Sequence, residues 1–411
     1  MKVLVVCQYY YPEPFRLPDI CEELARRGHK VTVLTGLPNY PMGELYEGYE
    51  KGQRREEYIN GVHVVRCWTH PRKSGTLHRL INYFSYPISA WLKVGKLDGD
   101  HDVVLINQQS PVMMAWPGMR YGRKHRKPTV MYCMDLWPAS LAAGGISASS
   151  SVYRMFHLIS GYVYQHMDRI LVTSCMFTEY LHEEFGVDKS KVDYLPQYAE
   201  DVFNSIEPTQ SQETTNLVFA GNIGVAQSLD TVLDAAEQLP MVRFHIVGDG
   251  VELGRLKQRA SENVEFYGRR PLEEMPQFYA MADAMLVTLQ ADPVLSMTLP
   301  GKVQSYMAAG KPIIGAADGE VATTLEKAQC GYCGPAKDAQ TLVTNIERFI
   351  ANPHKQRLAS NARRYYIEHF ARSMFMDALE GVLRDESTRI RSSCRRRWRA
   401  PCPQAVPPGC A

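Results

Sequence analysis

The chain has 411 residues, of which 45% are apolar and 22% charged, with a formal charge of +2. That is the balance of a folded globular protein of two or three domains. So even a charge excludes binding to a polyanion across the whole surface, but not through one basic face. The longest apolar runs are strand-sized, such as VVLI (103–106), well short of the roughly 20 residues that span a bilayer.

Strand and helix patterns alternate from the first residue. KVLVVCQ (2–8) reads as a strand, too short for the apolar core of a signal peptide, so the chain is expected to stay in the cytoplasm. PDICEELARRG (18–28) is a helix stopped by Gly28. HKVTVLTG (29–36) and GVHVVRCW (61–68) are the next strands. Residues 72–97 hold five Lys/Arg and no acid, with apolar residues at 77, 80, 81, 84 and 88 in helical spacing. Pro87 is expected to kink or divide that helix. Two readings fit this basic, aromatic stretch: an interfacial helix on a membrane, or a core-packed helix with a solvated basic face. A second basic cluster lies at 119–127. No nucleic-acid motif accompanies either cluster.

DVVLIN (102–107), PTVMYCMD (128–135) and RILVTS (169–174) continue the series, and the polar segment 199–216 reads as a linker. The pattern restarts with NLVFAGNIG (216–224), VRFHIVGDG (242–250), VEFYGR (264–269), DAMLVTL (283–289), PIIGA (312–316) and GYCGPA (331–336). A last amphipathic helix is expected over 354–385. Residues 386–411, with six arginines in 389–399 followed by Pro, Gly and Cys, are expected to be disordered. The βαβ series implies an α/β protein with two Rossmann-like domains facing a cleft. The expected divisions are 1–200, 201–365, a helix over 366–385 crossing back to the first domain, and the tail.

Neither half has a dinucleotide fingerprint, and there is no Walker A sequence and no G-x-S-x-G. Cys330 and Cys333 are spaced like metal ligands but have no second pair, so no metal and no cofactor are expected. DGDHD (98–102) sits at the amino end of a strand and reads as a solvated turn. What remains is a set of short turns at strand ends: GNIG (221–224), GDG (248–250), GRR (268–270) and LPGK (299–302). Such turns expose backbone N–H groups beside helix N-termini and hold phosphate. Lys302 stands at the positive end of its helix, an unfavourable place for a cation unless an anion lies there. The competing reading is a solvated surface lysine.

Here the chain resembles a GT-B-fold retaining glycosyltransferase of family 4. The resemblance rests on ELARRGHKVTVLTGLPNYPMG (23–43), MDLWPASL (134–141), VFAGNIGVAQSLDTVLDAA (218–236), FHIVGDG (244–250), FYGRRPLEEMPQFYAMADAMLV (266–287) and YMAAGKPIIGAADGE (306–320). QYYYPEPFRLPDI together with LPNYPMG is similar to the L-fucosamine-type transferases of O-antigen, capsule and exopolysaccharide assembly. The resemblance implies a UDP-N-acetyl-deoxyhexosamine donor, bound by the second domain (201–365), and a polyprenyl-diphosphate-linked saccharide acceptor, bound by the first (1–200). It also implies peripheral attachment to the inner face of the plasma membrane through 72–97. The family's Glu-x7-Glu is replaced by Met297 and Ser305, and its diphosphate-clamping Arg and Lys by Asn222 and Gln227.

On that reading Lys302 substitutes for the clamp, with Arg269 and Arg16 as further candidates. Donor contacts are expected from Gly221, Asn222, Gly224, Gly248, Pro300, Gly301, Val303 and Ser305. Asp135, at the end of PTVMYCMD, would orient the acceptor hydroxyl or offset charge on the sugar; an N-cap role fits it equally. Glu320 would bind donor hydroxyls or favour a helix N-terminus. Glu13 and Arg16 are expected in an inter-domain loop near the donor phosphate. A UDP-hexosamine epimerase and a non-catalytic partner of a transferase are the rival readings.

Overall fold

The computed structural model describes residues 1–72, 75–143, 146–206 and 214–397. By compactness it forms two units. One comprises residues 1–132, 166–170 and those from Leu379 onward; the other comprises 133–165 and 171–378.

Eight strands form the first sheet: β1 (Lys2–Val6), β2 (Lys30–Thr35), β3 (Glu56–Ile59), β4 (Val62–Arg66), β5 (Val103–Gln108), β6 (Thr129–Cys133), β7 (Arg169–Val172) and β8 (Val192–Tyr194). Their order is β3-β4-β2-β1-β5-β6-β7-β8. β1 pairs in parallel with both β2 and β5, while β3 is antiparallel to β4. The chain runs outward from β1 on one side and from β5 on the other, so the order reverses between them. That is where open α/β sheets leave a crevice beyond the carboxyl ends of the strands.

The second sheet contains β9 (Asn216–Ala220), β10 (Arg243–Val247), β11 (Val264–Gly268), β12 (Ala284–Thr288), β13 (Ile313–Ala316) and β14 (Gly331–Gly334), ordered β11-β10-β9-β12-β13-β14. This is the doubly wound order, and its reversal lies between β9 and β12. Asn-Leu-Val-Phe-Ala is apolar on both faces because both are covered. Leu217 and Phe219 pack into one core cluster and Val218 and Ala220 into the other.

Three expectations are corrected. Pro87 does not divide its helix, which runs unbroken from Thr76 to Val94. Packing holds it together: Asn82, Tyr83, Tyr86 and Ala90 are buried, the Tyr86 hydroxyl donates to the Leu34 carbonyl at 2.8 Å, and Ser85 and Ser89 hydroxyls cap the Asn82 and Tyr86 carbonyls. The stretch 354–385 is not one helix but parts of two, Lys355–His369 and Arg372–Arg397, separated where Phe370 turns into the core. The second helix carries order well past residue 386, with Glu386 and Ser387 buried; residues 398–411 lie outside the described residues. From Leu379 this helix belongs to the first unit. Glu380 receives Arg27 Nη1 at 3.0 Å and stands 3.0 Å from His29 Nε2. The guanidinium groups of Arg384 and Arg27 hold its carboxyl at about 2.

Candidate functional site

The two turns at the reversal of the second sheet follow β9 and β12, and they carry GNIG and LPGK. Backbone hydrogen bonds lace the first turn to the end of β10. Gly221 N–H donates to the Val247 carbonyl and Ile223 N–H to that of Asp249, each at 2.9 Å. Gly248 comes so close that a Cβ there would stand 1.8 Å from the Gly221 carbonyl oxygen. The short 3-10 turn Val225–Gln227 is tied to the end of β12 by Gln290 N–H on the Ala226 carbonyl at 3.0 Å and by the Thr288 hydroxyl on that of Gln227 at 2.5 Å.

Helix Gly301–Ala308 begins at Pro300 without a side-chain cap. It is pinned to β9 by the buried Tyr306, whose hydroxyl bonds both the N–H and the carbonyl of Ala220 at 3.0 and 3.1 Å. That anchor swings Lys302 back over the first turn. Its Nζ donates to Gln227 Oε1 at 2.5 Å, lies 3.9 Å above the Phe219 ring, and is cupped by Gly221, where a Cβ would meet it at 3.0 Å. The ammonium end is enclosed although the residue as a whole is half-buried. Loss of water pushes its pKa down to about 7, and no carboxylate contributes to offset the fall. The turn therefore holds a desolvated lysine amine beside a helix N-terminus, with no counter-charge to favour its protonated form.

The expected donor contacts divide into groups. Gly221, Gly248 and Val303 spend their N–H groups inside the protein, on Val247, Gly268 and Pro300, and the Val303 side chain lies in the core. Their part is shape, not donation. The hydrogen bonds of the described residues leave the N–H groups of Asn222, Gly224 and Gly301 available beside Lys302. Ser305 is buried, and its hydroxyl is shared between the Gly301 carbonyl at 3.3 Å and Glu200 Oε2 at 3.5 Å. Arg269 is exposed just past β11, next to Gly268, whose carbonyl accepts the Gly248 N–H at 2.9 Å.

Asp135 sits two residues past β6, half-buried, and desolvation raises it to about 6 against the side chains of Ser140 and Trp137 and the N–H of Leu136. Glu320 is buried at the start of helix Glu320–Ala328, where its Oε2 accepts Met176 N–H at 3.4 Å. Glu13 lies in the loop between β1 and helix Leu17–Arg26. It is buried in the first unit, and its carboxylate accepts N–H groups from Tyr10 (3.0 Å), Asn39 (2.8 Å) and Tyr40 (2.8 Å). It braces two loops and has no oxygen to spare. Burial still pushes it up to about 7. Arg16 precedes helix Leu17–Arg26, close enough to Tyr132 for their charges to interact.

Sequence reasoning missed Phe219 and Tyr306, which build the Lys302 seat. A tyrosine inside an otherwise small, apolar helix (YMAAG) was the available signal.

Residues 16–197 match the model of a glycosyl transferase 4-like domain, and residues 214–352 that of the glycosyl transferases group 1. A putative colanic acid biosynthesis glycosyl transferase, WcaI of Escherichia coli K12, is 24% identical, over 87% of this chain and 94% of its own. Among solved structures, sucrose-phosphate synthase of Thermosynechococcus elongatus superposes with a TM-score of 0.74 at 16% identity, covering 93% of this chain and 98% of that one. HepE of Anabaena, solved with UDP and glucose, gives 0.69 at 16% identity, over 93% and 99%.

Proposed function

The chain is a glycosyltransferase of the GT-B fold, and we propose that it moves a sugar, with retention, from a UDP-sugar to a lipid-linked saccharide during surface polysaccharide assembly. The donor sugar in this reading is an N-acetyl-deoxyhexosamine and the lipid a polyprenyl diphosphate. The relative named for colanic acid biosynthesis and the neighbour solved with UDP support it.

The observation that carries the reading is the Lys302 seat. A desolvated lysine amine without a carboxylate, flanked by free N–H groups at the sheet's reversal, is built to take up a proton and hold a diphosphate. The sugar C1–O bond to the β-phosphate breaks as an acceptor oxygen bonds C1 from the same face. The acceptor proton passes to the departing phosphate oxygen, so no strong protein base is needed. Lys302 and the N–H groups of Asn222, Gly224 and Gly301 stabilise the charge gathering on UDP. Loss of one such contact typically lowers the rate by about 10²–10³. Asp135 orients the acceptor hydroxyl, and Glu320 holds donor hydroxyls. No metal or cofactor enters this scheme.

The membrane half of the proposal rests on helix Thr76–Val94. Ile81, Ile88, Trp91 and Leu92 are exposed along it. The second basic cluster is folded onto its end, with Arg120 stacked 3.6 Å over Trp91 and Lys124 Nζ on the Gly95 carbonyl at 2.6 Å. Among the described residues no helix is long and apolar enough to cross a membrane, and this face suits a helix lying on an anionic surface.

The test is UDP release from UDP-sugars with and without a lipid-linked acceptor. Acceptor-dependent release is expected. Interconversion of sugars without release would replace the proposal with an epimerase.

A further inference from the structure

The loop after β1, at the reversal of the first sheet, carries Tyr9 and Phe15. Tyr9 and Phe15 stack with ring centroids 5.2 Å apart, and Tyr40, from the loop after β2, joins them at 5.9 and 5.1 Å. Tyr9 is a buried floor, while Phe15 and Tyr40 keep part of their surface open. What lies beneath is polar. Gln8 Nε2 reaches the Tyr9 hydroxyl at 3.4 Å, the Arg72 side chain bonds the same hydroxyl, and Arg72 N–H donates to Asn39 Oδ1 at 2.9 Å. Glu13 locks the arrangement through the N–H groups of Tyr10, Asn39 and Tyr40.

We propose that Phe15 and Tyr40 over Tyr9, rimmed by Arg72, form the seat on which the acceptor's saccharide stacks while its diphosphate meets Arg72. This rests on the lipid-linked acceptor proposed above. A pyranose has an apolar C–H face and polar edges, which matches rigid aromatic rings set in a polar rim. Phe15 and Tyr40 keep part of their surface open above hydrogen-bonded polar groups, so a sugar face can reach the rings from solvent. The rings need no ordering on binding, because Glu13 has already fixed both loops. The helix with the exposed apolar stripe begins at Thr76, four residues beyond Arg72. In this proposal the acceptor's lipid lies along that helix, with its phosphates at Arg72 and its first sugar at the rings.

The experiment compares two soluble probes, farnesyl diphosphate and farnesyl-diphospho-N-acetylglucosamine, by calorimetry on the full chain, with UDP affinity measured alongside. The unaltered protein is expected to bind the saccharide probe the more tightly. Phe15→Leu and Tyr40→Leu keep an apolar side chain but remove the ring face, and each should cut that preference roughly three- to ten-fold while leaving UDP affinity unchanged. Arg72→Gln should weaken both probes by roughly ten-fold and preserve their ratio. No preference in the unaltered protein, or a preference that survives the double Phe15→Leu, Tyr40→Leu change, would overturn the assignment. Failure of the unaltered protein to bind UDP would overturn the donor reading instead, and the probe ratio would still be legible.

Discussion

Lys302 should bind a proton when UDP arrives. Its fall from an ordinary lysine's ~10.4 to about 7 corresponds to roughly 5 kcal/mol held against the charged ammonium. At pH 8 about nine in ten such groups are neutral. Diphosphate oxygens beside Nζ restore the charged form, so binding at pH 8 should take up close to one proton. The UDP dissociation constant should then rise about tenfold per pH unit between pH 8 and 9.5, above the phosphate's own titration near ~6. Calorimetry in buffers of different ionisation heat counts that proton directly. Lys302→Met should abolish both the uptake and the pH slope. A slope near zero in the unaltered protein, or one that persists in Lys302→Met, would refute the placement of the phosphates.

Gly248→Ala drives a Cβ to 1.8 Å from the Gly221 carbonyl and should destabilise the fold by roughly 3 kcal/mol, read from chemical denaturation. Gly221→Ala, at φ 147° and 3.0 Å from Lys302 Nζ, should leave a folded protein with UDP affinity weakened about tenfold or more. Glu13→Gln leaves one of three buried N–H groups without an acceptor and should cost about 1–3 kcal/mol. Because Glu13 is raised to about 7 in the fold, its contribution is full below the ordinary carboxyl range and is lost as pH rises toward 7; the Gln variant should lack that decline. Glu380→Ala releases Arg27 and His29 from the C-terminal helix and should cost about 1–2 kcal/mol. Since Glu380 is held at about 2, the difference between variant and parent should shrink as pH falls from the ordinary carboxyl range toward 2.

The two doubly wound sheets were legible because buried parallel strands leave unmistakable apolar runs, as in NLVFA and AMLVT. The phosphate-type turns were legible from their glycines. Strand β3 was not: its EEYI is short, polar and half-exposed, and only pairing with β4 makes it a strand. The seat of Lys302 was half legible. Its place at a helix start is local, but Gln227 lies 75 residues away, and only the strand order brings the two together. The partners of Glu13 were illegible for a related reason: two of the three N–H groups it accepts, those of Asn39 and Tyr40, come from a loop that sequence does not connect to it. Pro87 shows tertiary packing overruling a local rule, as do Glu386 and Ser387, buried at the start of the stretch that reads as a tail.

The most direct test of the central claim is a crystal structure of the protein with UDP. The account predicts diphosphate oxygens within hydrogen-bonding distance of Lys302 Nζ and of the N–H groups of Asn222 and Gly224. A well-ordered UDP bound elsewhere, with the Lys302–Gln227 contact undisturbed, would contradict it.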